Sequence, residues 1–304
     1  MCLLCLFAAK RVFRARSVLC LVLFVACLVA PPGYAAQDQS LQQKLAALEK
    51  FPAKFSFVVL GDNRAGDPAC DAVYQKLMAA ALERKPDLVV NTGDQIDKPG
   101  NVEHWKRFWE LSKNVTMPYF LTVGNHDAHV EVAGSEQTYI DQVDLPGKEI
   151  YYSFTAGSAL FVVLDSYIKG EDKRITGEQF RWLENLLAGS QQKQRFVFVH
   201  HPLFPEQGKG KHHGNSLDRY KDDRDRLHAL FVKHKVTMVF AGHEHLYLRK
   251  TVDGVPYITT GGGGAPLYAD DLNGGFHHYV FMTVDAERVS GEAVDINGNI
   301  RDKF

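Results

Sequence analysis

The amino-acid sequence predicts an α/β domain with a largely parallel core. From Phe55 onward, short apolar runs rich in β-branched and aromatic residues alternate with helical patterns, as strand-helix alternation requires. Five of these runs end in a turn that carries Asp, Asn or His. The runs after the last such turn read as antiparallel strands, so the sheets are expected to be mixed.

The elements follow in order. Residues 39–50 place Leu41, Leu45, Ala46 and Leu48 at near-helical spacing, a short packing or spacer helix within the N-terminal segment 37–54. Strands are expected at 55–60, 87–91 and 119–123, with helices around 71–84 and 102–111. Between 150 and 165 two adjacent runs, 151–154 and 160–164, flank Ala156-Gly157-Ser158, which is hairpin punctuation. A helix at 177–187, a strand at 195–199, a helix at 217–233 and a strand at 236–240 come next, followed by runs at 247–251, 255–260, 279–284 and 291–295. With no internal repeat or low-complexity linker, 55–304 reads as one domain.

The first 36 residues are set apart from the fold. Lys10, Arg11, Arg14 and Arg16 form a basic region, 18–30 an apolar core, and Pro31-Pro32-Gly33-Tyr34-Ala35-Ala36 an exit whose Gly33 and Ala35 suit a small-x-small cleavage pattern. The expectation is a signal peptide cut near Ala35 or Ala36, and export to a periplasmic or secreted location. The apolar run falls short of the roughly 20 residues of a membrane span. Phe24-Val25-Ala26-Cys27 also resembles a lipoprotein box, so lipidation at Cys27, or an uncleaved anchor, is the alternative and the expected route to any membrane contact.

Four of the five cysteines lie in this leader. Only Cys70 follows, a loop or helix-start residue beside Pro68, so no internal disulfide is expected after processing. The leader also holds four of the 35 Lys+Arg and no acidic residue, which leaves 31 basic against 36 acidic side chains, a net charge of −5 with His neutral. Such a chain offers no basic field to nucleic acid, and a nuclease is disfavoured on that ground.

The five turns are Gly61-Asp62-Asn63-Arg64, Gly93-Asp94-Gln95-Ile96-Asp97, Gly124-Asn125-His126-Asp127, His200-His201-Pro202 and Gly242-His243-Glu244-His245. Taken singly, Gly-Asp or His-Pro is ordinary turn chemistry, and Asn125 beside Gly124 suits a left-handed turn. All five at strand ends converge on one crevice of an open sheet. Their donors are Asp, Asn and His with no thiolate, which suits manganese, iron, zinc or magnesium and disfavours copper(I) and iron-sulfur chemistry. His243 and His245, two apart at a strand end, point to one side, as a shared metal face requires.

This order of motifs resembles the calcineurin-like metallophosphoesterase superfamily, and its purple acid phosphatase-like branch in particular, over about residues 55–268. The resemblance implies a four-layer α/β/β/α sandwich, two mixed β-sheets flanked by helices. It also implies a metal-dependent phosphoesterase with two divalent ions. Carried over residue by residue, Asp94 bridges the ions, Asp62 and His245 complete one, and Asn125, His200 and His243 hold the other. The implied reaction is hydrolysis of a small-molecule phosphomonoester or phosphodiester by direct attack of hydroxide held between the ions. His126 matches the histidine that contacts phosphate and protonates the leaving oxygen, with Asp127 orienting its imidazole. His212 and His213 are similar to a phosphate-touching pair at the mouth of related sites, with a solvated loop as the alternative, and His201 reads as a bystander beside its ligand neighbour.

Two departures from the pattern matter. Many members have Asp-x-His in the first motif, where this chain has Asp62-Asn63-Arg64. Arg stays protonated and cannot ligate, so Arg64 is expected to brace Asp62 or clamp a phosphate oxygen. The purple members carry a metal-bound Tyr three residues after the bridging Asp, where this chain has Asp97. Without that phenolate no purple charge-transfer colour is expected, and Asp97 is expected to hydrogen-bond a ligand or His126. A catalytically impaired phosphate- or metal-binding homologue is the alternative that Arg64 raises.

Overall fold

A computed structural model describes residues 38–304 apart from 148–149, 207–211, 213 and 286–287. The leader, with Cys27, and His213 lie outside the described residues. Within 35–304 the chain forms one compact unit. In chain order the elements are α1 (Leu41–Leu48), β1 (Phe55–Leu60), α2 (Pro68–Glu83), β2 (Leu88–Asn91), α3 (Val102–Leu111), β3 (Tyr119–Leu121) and α4 (Ser135–Gln142). Then come β4 (Tyr152–Ala156), β5 (Ala159–Leu164), α5 (Gly177–Gly189), β6 (Gln194–Val199), α6 (Lys221–Lys233) and β7 (Met238–Ala241). The chain closes with β8 (Tyr247–Val252), β9 (Val255–Thr260), β10 (His278–Asp285), β11 (Arg288–Asp295) and β12 (Ile300–Lys303).

Among the described residues the strands make two six-stranded mixed sheets, ordered β12-β11-β10-β1-β2-β3 and β4-β5-β6-β7-β9-β8. The runs β1-β2-β3 and β5-β6-β7-β9 are parallel, flanked by antiparallel edges. The two inner faces meet in an aromatic core. Phe57 of β1 lies 5.2 Å from Phe161, 5.1 Å from Phe196 and 6.2 Å from Phe240 between ring centroids, bridging one sheet to three strands of the other. The outer face of the second sheet, Val162, Leu164, Val197, Val199 and Val239, packs with Phe180, Leu183 and Leu187 of α5 and Leu227, Leu230 and Phe231 of α6. On the first sheet α2 and α3 contribute Tyr74, Leu77, Met78, Ala81, Trp105 and Phe108. This is the expected α/β/β/α layering. Burial on both faces explains why the parallel strands read as continuous apolar runs.

Helix starts obey local chemistry. The Asp67 carboxylate accepts the N–H groups of Ala69 and Cys70, and Pro68 occupies the first turn, so α2 begins three residues before the periodic pattern. Cys70 is free and buried in that turn, and burial pushes its thiol up to about 12. The expected helix at 217–233 is broken: Leu217–Arg219 is a 3₁₀ turn, Asp218 accepts from the N–H of Gly214 and Ser216, and α6 starts only at Lys221.

The N-terminal helix is anchored to the domain, with its Lys44 fully buried against the Asp38 carboxylate and donating to the carbonyl of Asp144 at 3.0 Å. No helix among the described residues is long and apolar enough to cross a membrane.

Candidate metal centre

The motif turns leave the carboxyl ends of five parallel strands, three from the first sheet (β1, β2, β3) and two from the second (β6, β7). Three of the expected ligands sit in the left-handed region: Asp62 at φ 59°, Asp94 at φ 56° and His243 at φ 67°, as does Arg64 at φ 54°. Backbone of this kind costs roughly 1–3 kcal/mol per non-glycine residue and persists where its surroundings impose it. Here those surroundings are hydrogen bonds between motifs: Asp62 N–H to Gly93 O at 2.8 Å, Arg64 N–H to Asp94 O at 3.0 Å, and His243 N–H to the Asp62 carboxylate at 3.0 Å. The motif glycines serve the same closeness. A Cβ on Gly93 would enter the His200 ring, and one on Gly124 would strike the Asp94 carboxylate.

Asp62, Asp94 and His200 offer ligand atoms within 4.8 Å of one another, all buried. His200 Nδ1 meets the carbonyl of Thr92 at 2.9 Å and must donate to it, so Nε2 is the nitrogen left to ligate. Nε2 stands 3.1 Å from Asn125 Oδ1 and 3.4 Å from Asp94 Oδ1. His243 Nδ1 faces the same Asn125 oxygen at 3.0 Å. On the other side, His245 Nδ1 donates to the carbonyl of Pro266 at 2.7 Å, and its Nε2 faces Asp62 Oδ1 at 3.5 Å. Carboxylate, amide and imidazole donors thus gather with their ligating atoms close together, a set that suits divalent metal ions, Asp62 beside His245 and Asn125 beside His200 and His243.

The electrostatics agree. Burial works to raise the Asp94 pKa, but His200, His126 and Arg64 outweigh it and hold the carboxylate below its usual range. Burial, with neighbouring histidines, holds His243 well below 6.5, so its imidazole is neutral and able to ligate. His201 is also buried and held neutral, and its Nδ1 pairs with the Ser166 hydroxyl at 2.8 Å instead of turning to Asp94. Between His243 and His245, Glu244 turns away to accept the N–H of Glu206 at 2.9 Å.

Half-buried side chains flank this cluster. His126 donates its backbone N–H to Asp94 Oδ1 at 2.8 Å, and its Nδ1 meets the main-chain carbonyl of Asp97 at 2.6 Å. The expected role of Asp127 is corrected here. Its carboxylate is taken up by the backbone N–H groups of Asp94, Gln95, Ile96 and Gly124, so it locks two motif turns together and does not orient the His126 ring.

Asp97 does hold His126, through its carbonyl, while its carboxylate faces Arg64 Nε at 3.7 Å. Arg64 Nη1 lies 3.7 Å from Asp94 Oδ2, so the guanidinium braces Asp94 and Asp97 where a brace on Asp62 is expected. His212 packs over His243 with centroids 4.2 Å apart, beside the centre. Sequence reasoning misses Tyr268, whose ring stacks on His245 at 4.0 Å. It lies in a loop with no motif to mark it.

A family model described as Calcineurin-like phosphoesterase matches residues 55–247, and the chain belongs to that family. Purple acid phosphatase 23 of Arabidopsis thaliana is 30% identical over 178 residues, which cover 53% of this chain and 37% of that protein. A probable glycerophosphodiester phosphodiesterase of Arcobacter nitrofigilis is 30% identical over 168 residues, 54% of this chain and 58% of that one. The matches thus span between about a third and three fifths of these relatives' lengths. Among solved structures, purple acid phosphatase PPD1 from yellow lupin (Lupinus luteus) seeds superposes with a TM-score of 0.69 at 19% identity, over 84% of this chain and 54% of that one, which supports the fold.

Proposed function

We propose that this calcineurin-like family member is an exported metal-dependent phosphoesterase that hydrolyses small-molecule phosphomonoesters or phosphodiesters by direct attack of water, without a phospho-enzyme. The observation that carries the reading is the convergence of Asp62, Asp94 and His200 within 4.8 Å, with Asn125, His243 and His245 beside them. Two divalent ions, manganese, iron, zinc or magnesium, would be held there and would supply Lewis acidity and a lowered water pKa.

The chain's own groups do the rest. Asp94 stays ionised between the two donor sets, and the Asp127 clamp keeps the turns that carry Asp94 and Asn125 in register. His126, fixed through Nδ1, presents Nε2 toward the mouth, where it can contact a phosphate oxygen and pass a proton to the leaving alkoxide. The Arg64 guanidinium, half-buried next to Asp94, is placed to receive phosphate charge, and His212 is proposed as a further contact.

Arg64 also favours a second reading, a catalytically impaired binder of phosphate or metal, because its cationic group stands 3.7 Å from the carboxylate that the ions would share. One experiment separates the two. Metal-replete protein is analysed for bound ions and assayed on an aryl phosphate and its diester, with labelled substrate used to seek a covalent intermediate. Two ions with turnover and no trapped phosphoprotein support the hydrolase; tight phosphate binding without turnover supports the binder.

A further inference from the structure

Tyr268 packs against His245 through both its ring and its backbone. Its ring stacks on the imidazole with centroids 4.0 Å apart and planes 18° apart, and its backbone N–H donates to His245 O at 3.1 Å. Pro266, two residues earlier, takes the Nδ1 hydrogen at 2.7 Å, so Nε2 is the nitrogen left to ligate. Nε2 stands 3.3 Å from the Tyr268 hydroxyl and 3.5 Å from Asp62 Oδ1.

Two ligands that each stand about 2.1 Å from one ion lie roughly 3.0 Å apart at a right angle and roughly 3.4 Å apart in a tetrahedron. The spacings around His245 Nε2 are close to those of neighbouring ligands. Asp62, His245 and a shared Asp94 make three protein donors for this ion, one short of four-coordination, and Arg64 cannot add a fourth.

We propose that the Tyr268 hydroxyl oxygen is the fourth protein ligand of the ion held by Asp62, Asp94 and His245. The inference rests on the metal-centre reading above. On ligation the phenolic O–H bond breaks, the oxygen-metal bond forms and the proton passes to solvent, with no change of oxidation state. The pre-built stack on His245 holds the phenol in place.

The test uses the full chain stripped of metal, as the parent protein, as Tyr268→Phe, and as Tyr220→Phe, a half-exposed tyrosine outside the centre. Each is titrated with zinc by calorimetry and, separately, loaded with iron(III) and examined for a visible phenolate-to-iron band. The expected result is two zinc ions on the parent, with Tyr268→Phe losing at least about tenfold in affinity for one of them and none for the other. The iron band is expected in the parent and in Tyr220→Phe and absent from Tyr268→Phe.

A parent that binds fewer than two ions removes the metal-centre reading and this assignment with it. A parent that binds two ions but shows no band, or a band that survives in Tyr268→Phe, overturns the assignment alone. So does a Tyr268→Phe protein that keeps both zinc affinities and merely binds inorganic phosphate more weakly, because the phenol would then be a phosphate contact.

Discussion

Asp127 Oδ2 accepts the backbone N–H of Asp94 at 2.8 Å, so one buried carboxylate fixes the main chain of another. The same oxygen takes the N–H of Gly124 at 2.8 Å, and Oδ1 takes those of Gln95 and Ile96. Asp127→Asn puts an amide donor against backbone donors, and it is expected to cost about 3 kcal/mol of stability. Metal affinity should fall by about 10- to 100-fold as the Asp94 turn loosens. Urea unfolding and metal titration measure both; an unchanged affinity would show that the clamp does not support the centre.

His126→Ala removes a ring whose Nδ1 pairs with a carbonyl, and it keeps the backbone N–H that meets Asp94. The bound ions should stay at the parent number while turnover drops by about 10²- to 10⁴-fold. Metal analysis alongside the assay makes the comparison. Full turnover with metal intact would take the proton-donor role away from His126.

Asp165 is buried, and burial raises its pKa from 3.8 to about 7 in the fold. Between those values the folded state keeps a proton that the unfolded chain has lost, so stability falls as pH rises through this window and levels off above it. The total is on the order of 4 kcal/mol. Asp165→Asn mimics the protonated acid and should flatten this part of the stability-pH curve, as denaturant titrations at pH 4, 6 and 8 would reveal. Parallel curves for parent and variant would contradict the assignment.

Phe57→Ala empties the junction where β1 meets Phe161, Phe196 and Phe240. A fully buried Phe replaced by Ala typically costs about 3–5 kcal/mol, because a cavity adds to the lost transfer energy. Thermal or chemical unfolding should show that loss. A loss below about 1 kcal/mol would mean that the sheets repack around the gap.

The strands that carry the centre were legible because each is a short apolar run closed by a polar turn, and that pattern is local. Helix α4 and strand β12 were not. Their sequences, SEQTYIDQ and IRDK, have little apolar periodicity, and they form on an already built domain, α4 through the single fully buried ring of Tyr139 and β12 as an exposed edge paired to β11. The placement of β10 beside β1 was equally hidden, since Phe55 pairs with Val284 across more than two hundred residues.

Which Asp, Asn and His residues stand at strand ends, and in what order, can be read along the chain. Side-chain type and the strand-turn boundary are both written over a few neighbouring residues. What each group faces is set by packing: Asp127 toward backbone N–H groups, Arg64 toward Asp94 and Asp97, and Tyr268 toward His245. Those pairings join loops from different strands, and their partners follow from how two twisted sheets pack face to face, a long-range outcome that no local pattern encodes.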